Sequence, residues 1–146
     1  MNVSNYMKLS FPSVSANEGF SRAAIAAFLL PLNPTVAEIA DVKTAVSEAV
    51  TNAIVHAYPD TVGTVYLTAK ITSERRVIIK IRDTGVGIPD VEKAMEPLYT
   101  TSSDERAGLG FAVMQSFSDK VRVRSEVGRG TAVTLEKIIH NAYERE

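Results

Sequence analysis

Residues 64–71 and 77–82 are two runs in which apolar side chains alternate with others, and a polar turn through Ser73, Glu74 and Arg75 joins them. Alternation is the period of a strand with one buried face. A connection this short permits only an antiparallel pair. A second pair has the same form. Residues 120–126, with Val121 and Val123 inward, meet residues 131–137, with Val133 and Leu135 inward, through Gly128, Arg129 and Gly130. Another short strand runs through Met7, Leu9 and Phe11 and stops near Pro12.

Helices fill the spaces between. Thr35 and Glu38 have the spacing of a capping box, which opens the longest helix and carries it to Tyr58 and Pro59. Ser15 and Glu18 repeat that spacing ahead of a first helix through Phe20, Ala23, Ala24, Ala27 and Phe28, ending before Pro31. A short helix is expected around 91–95. Residues 97–107 are polar and aperiodic and read as a mobile loop, after which Gly108-Leu109-Gly110 opens a helix with Phe111, Val113, Met114 and Phe117. No repeat or linker divides the chain, so residues 1–146 form one expected domain. The mixture argues for an α+β fold, a two-layer sandwich of a mixed, mostly antiparallel sheet with its helices on one face.

Composition narrows the function. Sixteen basic and seventeen acidic side chains leave a net charge of −1, which gives no electrostatic footprint for nucleic acid and no polybasic membrane patch. The absence of cysteine excludes disulfides, thiolate nucleophiles and Cys-ligated zinc. His56 and His140 are far apart and form no metal motif. The start, Met-Asn-Val-Ser-Asn-Tyr, lacks the pattern of a signal peptide, and no apolar run approaches the ~20 residues of a membrane span. A cytoplasmic protein is the expectation.

Three elements carry chemistry. On the long helix Val42, Val46, Ala49, Val50 and Ala53 form one stripe, while Thr44, Glu48, Asn52 and His56 recur every four residues on another face. Solvated polar residues are one reading of that second face. The other is functional: an amide oxygen is a neutral, hard ligand suited to Mg²⁺, and a carboxylate one turn away can orient or deprotonate a nucleophile. The second element is Asp83-Thr84-Gly85-Val86-Gly87-Ile88-Pro89, directly after the alternation of Val77, Ile79 and Ile81. It reads either as a plain turn or as an acid and bare backbone presented to a ligand. The third is Gly108-Leu109-Gly110, either a hinge or a phosphate-binding helix start. Neither G-x-x-x-x-G-K-[ST] nor a strand-borne G-x-G-x-x-G is present.

In this order, Glu48-x-x-x-Asn52, Asp83-x-Gly85-x-Gly87, a loop, Gly108-x-Gly110 and Gly130-Thr131 resemble the Bergerat, or GHKL, ATP-binding fold of type II topoisomerases, MutL and histidine kinases, across nearly the whole chain. The string from Val46 to His56 is similar to the small anti-sigma-factor serine kinases of that family. The segments 108–119 and 17–22 look most like their sporulation branch. One departure is Ala57, where members often carry Gly.

The resemblance implies ATP and Mg²⁺ as cofactors. Asp83 would accept from the adenine amino group, with Thr131 supporting that edge through a water. Gly85 and Gly87 would let the backbone pass close to the nucleotide, and Asn52 would bind Mg²⁺. Gly108 and Gly110 would present N–H groups to the phosphates, with Arg106 assisting. The segment 97–107, including Thr100 and Thr101 as nucleotide-binding positions, would be a lid. Glu48 would be the general base toward a serine of an anti-anti-sigma factor, and Arg22 would contact partners. It further implies a sigma-F-type sigma factor as target, and a homodimer. A stress-response sigma-B-type kinase, a sequestering module without transfer, and a detached histidine-kinase domain are the alternatives. His56 reads as a structural histidine.

Overall fold

The computed structural model describes residues 2–96 and 105–140, with side chains from 110 onward in the second segment. The strands are β1 (Val3–Pro12), β2 (Thr64–Thr72), β3 (Arg76–Asp83), β4 (Lys120–Glu126) and β5 (Gly130–Ile138). The α-helices are α1 (Ala16–Leu29), α2 (Val36–Asn52), α3 (Val91–Ala94) and α4 (Glu105–Ser116). One sheet has the order β1-β2-β3-β5-β4. Every pairing in it is antiparallel, so the sheet is not mixed.

Both hairpins deduced from alternation are present, and the inward positions are those the pattern selects. Val65, Leu67, Ala69 and Ile71 of β2, Val77, Ile79 and Ile81 of β3, and Val133 and Leu135 of β5 are buried. They belong to one core with Val42, Val46, Ala49, Val50 and Ala53 of the long-helix stripe, Ile25 and Leu29 of α1, and Phe111 and Met114 of α4. Burial of that apolar surface holds the two layers together.

Among the described residues no helix covers the other sheet face, which is strongly basic. The registers align Lys8, Thr68, Lys80, Thr134 and Arg122 in one cross-strand row, and Ser10, Tyr66, Arg82, Ala132 and Arg124 in the next. With Lys70, Arg76 and Lys120, this side carries eight of the fourteen basic side chains among the described residues. Among the described residues its acids are Glu126 and Glu136, and Glu136 is paired with Arg76 at 3.1 Å and Arg122 at 3.0 Å. The Arg82 guanidinium lies 4.1 Å over the Tyr66 ring.

The two capping-box spacings have different outcomes. At α2 the box forms: Glu38 N–H donates to Thr35 Oγ1 at 3.1 Å and Thr35 N–H donates to Glu38 Oε1 at 3.0 Å. Glu38 Oε2 also accepts from His140 N–H at 3.0 Å, fastening the helix start to the chain beyond β5. At α1 no box forms. Ser15 is in the helical region (φ −58°, ψ −31°) rather than extended, and makes no side-chain cap bond. The Glu18 carboxylate is committed instead to the Ser47 hydroxyl and Arg22. Two further bounds differ: β1 begins at Val3, and α4 begins at Glu105, so residues 105–107 are helical rather than loop.

Thr35→Ala removes one of the two reciprocal bonds. It should cost about 1 kcal/mol, lowering the melting temperature by about 3 °C for a domain this size. A thermal unfolding scan measures this, and an unchanged midpoint would show that Glu38 holds the helix start without Thr35.

Candidate functional site

The acid at the end of β3 is held before any ligand arrives. Asp83 is 7% exposed, and its Oδ1 accepts from Gly85 N–H at 2.9 Å and from Thr131 N–H at 3.2 Å. One oxygen thereby fixes the end of β3, the following loop and the start of β5. Burial raises the Asp83 pKa above the ordinary 3.8, against the opposing pull of the Gly85 and Thr131 amides and the Arg82 charge.

The loop behind Asp83 is clamped on both sides. Val86 N–H donates to Ala57 O at 2.9 Å, and Gly128 N–H donates to Val86 O at 2.9 Å. A β-carbon at Gly85 would stand 2.1 Å from Ala57 O, so only glycine allows this approach. Gly87 has φ +79°, and a β-carbon there would meet Glu126 O at 2.4 Å.

Two supporting residues escaped the sequence reading. Tyr58 Oη donates to Thr64 O at 2.7 Å and accepts from Thr84 N–H at 2.8 Å, pinning the residue after Asp83. Ser125 Oγ accepts from Ile88 N–H at 2.7 Å and donates to Gly130 O at 3.0 Å. Its single proton is then used, so the Thr131 hydroxyl donates to it across 2.8 Å and keeps its own lone pairs for a ligand or water. An inward-phase serine following Val121 and Val123 was the available signal for Ser125. Nothing local marked Tyr58.

The opposite wall comes from the long helix. α2 ends at Asn52 and continues as a π-helical turn, Ala53–Ala57, with the wider i→i+5 pattern. The Asn52 side-chain oxygen and nitrogen are both buried without a hydrogen-bond partner. An unpaired buried polar group costs about 1–3 kcal/mol, so this amide calls for a ligand. A β-carbon built on Gly110 would lie 3.2 Å from both Asn52 amide atoms and 3.3 Å from Glu48 Oε2. The bare backbone of α4 therefore faces the Glu48–Asn52 pair at close range. His56, in the π turn, also has a buried, unpaired Nε2.

Between these walls is a cavity of about 380 Å³, which Asn52, His56, Asp83, Gly87 and Thr131 line together with apolar side chains such as Ile81, Ile88 and Val133. A few polar groups in an apolar cleft of this size is the usual form of a small-molecule site. Among the expected residues, Gly85 lies in the clamped loop and Glu48 beside Asn52. Gly108 is in the first turn of α4, with Glu105, Arg106 and Ala107 ahead of it, so its N–H stands where the helix's own ladder begins rather than among those left free at the start. Gly110 is further inside the helix, in ladder range rather than at the N-terminus. Arg22 is away from the cavity on α1, 3.2 Å from Glu18. Thr100, Thr101 and the Arg106 side chain lie outside the described residues.

For a metal ion, the described residues offer no group of three or more His, Cys, Asp or Glu. The unpaired Asn52 oxygen fits a hard cation whose other ligands are phosphate oxygens and water, the usual arrangement for Mg²⁺.

Residues 14–137 match the family described as the histidine kinase-like ATPase domain. An anti-sigma F factor of Caldanaerobacter subterraneus subsp. tengcongensis is 51% identical over 140 residues, 95% of this chain and 97% of that protein. One from Clostridium beijerinckii is 53% identical over 135 residues, 91% and 94% of the two chains. Among solved structures, the RsbU and RsbW domains of a Mycobacterium tuberculosis protein share the fold at a TM-score of 0.70 and 20% identity, over 93% of this chain and 33% of that one. Full-length ShkA in complex with AMPPNP matches at 0.60 and 25% identity, over 91% of this chain and 32% of that one.

Because the folded state raises the Asp83 pKa, it binds that proton more tightly than the unfolded chain does. Stability therefore falls as pH rises from 3.8 toward the raised value, and the penalty is complete above it. Asp83→Asn removes the charge while leaving an oxygen for both amides. The variant should resist urea better than wild type at neutral pH, with the advantage shrinking as pH falls to about 4. A variant less stable than wild type at neutral pH would contradict this.

Proposed function

This chain belongs to the histidine kinase-like ATPase family, grouping within it with the anti-sigma F factors, and from that premise we propose that it is an ATP-dependent serine kinase that also holds a sigma factor inactive. The observation that carries the catalytic part is the Asn52 amide, buried and unpaired beside Glu48 and opposite Gly110. A merely solvated helix face leaves no polar group stranded in this way.

In this reading the adenine amino group donates to Asp83, whose Oδ1 is already occupied by two backbone amides, and the Thr131 lone pairs serve the same edge through a water. The acid selects a ring with an N–H donor at that position. Asn52 is the protein ligand for Mg²⁺, which supplies charge neutralisation on the phosphate oxygens. Gly108 and Gly110 keep the α4 backbone close to the phosphates, and Arg106, Thr100 and Thr101 complete the nucleotide contacts. That the ShkA structure holds AMPPNP on a related fold supports a nucleoside triphosphate as the ligand.

Glu48 takes the proton of an incoming serine hydroxyl as that oxygen attacks the γ-phosphorus and the bond to the β-phosphate oxygen breaks, releasing ADP. The serine belongs to an anti-anti-sigma factor. The names of the relatives favour a sigma factor of the sporulation, sigma-F type as the sequestered target. Arg22, exposed on α1, is a partner contact for both proteins, and the working unit is a homodimer in the cytoplasm. No helix among the described residues is long and apolar enough to cross a membrane.

Incubation with labelled ATP, Mg²⁺ and a candidate antagonist should yield phosphoserine on the antagonist. Glu48→Gln should lower transfer by about 10²–10⁴-fold with ATP affinity unchanged by calorimetry. Undiminished transfer would remove Glu48 from the base role. ATP binding without transfer to any antagonist would leave a sequestering module.

A further inference from the structure

His56 stands where a structural histidine would be satisfied, and it is not. His56 lines the cavity, and its Nε2 is buried with no hydrogen-bond partner. Buried polar atoms without partners are rare enough that each needs an explanation. The neighbours offer none: Ala53 and Ala57 flank it in the π turn, and Asp83 Oδ1 is occupied by Gly85 and Thr131. Asp90 Oδ1 accepts from Lys93 N–H.

Backbone geometry aims the ring. In an α-helix, four residues advance about 400°, so a residue four on is rotated about 40° from the first. The π turn Ala53–Ala57 spreads each turn over more residues and takes up part of that drift. His56 thus stays nearly in line with Asn52 and faces the same cavity. The residue after it, Ala57, receives the Val86 amide, so here the helix gives way to the loop that starts at Asp83. Along this wall the order is Asn52, His56, then the Asp83 loop.

The next step rests on the ATP reading given above. With Asn52 toward the phosphates and Asp83 toward the adenine, the part of the nucleotide between them is the ribose. A hydroxyl both donates and accepts, so it pairs with an imidazole nitrogen in either tautomer. We propose that His56 Nε2 hydrogen-bonds a ribose hydroxyl and makes the site selective for ribonucleotides over deoxyribonucleotides. A site built to pair with a hydroxyl discriminates against the analogue lacking it, because the site's own polar atom then stays buried and unpaired.

The test is calorimetric affinity of wild type, His56→Phe and His56→Asn for ATP, 2′-deoxyATP and 3′-deoxyATP. Wild type should bind ATP about tenfold more tightly than at least one deoxy analogue. His56→Phe should bind ATP as weakly as wild type binds that analogue, with the analogue's own affinity changed less than about twofold. His56→Asn, which keeps a hydrogen-bonding side chain, should retain part of the preference. If His56→Phe does not fold, wild type still decides: the His56 imidazole nitrogen resonance should move with ATP and not with the discriminated analogue. Equal wild-type affinities, or a preference undiminished in His56→Phe, overturn the proposal. Wild type binding none of the three nucleotides would instead refute the ATP reading, and this inference with it.

Discussion

Two backbone amides, from Gly85 and Thr131, converge on a single oxygen of Asp83, and most of the site's geometry depends on that junction. It joins β3 to β5 and sets where the intervening glycine loop begins. Burying a carboxylate is unfavourable, and the raised pKa shows that the two amides and Arg82 offset the loss only in part. The fold therefore holds a carboxyl whose neutral form it favours over the charged one. Such local cost at a binding cleft is the usual mark of a group retained for recognition. Around it, the Val86–Ala57 and Gly128–Val86 bonds make a surface loop into a fixed wall, so little ordering remains for a ligand to induce there.

Where a residue's role depended on its near neighbours, the sequence was a good guide. Alternation in 64–71 and 77–82 identified the β2–β3 hairpin and its buried face, and the Val42-to-Ala53 stripe identified the face of α2 that meets the sheet. Errors arose where distant contacts decided. Ser15 and Glu18 have the spacing of a capping box, but Glu18 is claimed by Ser47 from another helix. Glycines at 108 and 110 suggested a helix start, yet α4 begins at Glu105, and the free space at Gly110 serves an approach to Asn52 and Glu48. Tyr58 and Ser125 were invisible as site residues because their partners, Thr84 and Ile88, are far along the chain.

The change from α to π winding after Asn52 shows how one helix can meet two demands. Up to Asn52 the regular period keeps the apolar stripe against the sheet. Beyond it, Ala53 and Ala57 remain buried while His56 is directed to the cavity. Regular winding would turn the second residue of each pair about 40° further round the helix. Wide turns of this kind occur mostly as single insertions, often at functional sites.

The open sheet face has a consequence that the net charge of −1 conceals. Eight cations lie on one side of a thin two-layer molecule, and among the described residues eleven of the thirteen acidic side chains lie elsewhere. Such a body has almost no monopole but a large electric dipole. In the field of a charged macromolecule it experiences a torque rather than a net pull, so it turns before it is drawn in. Orientation during encounter is thus set at distances up to about the 8–10 Å Debye length, ahead of any contact between side chains.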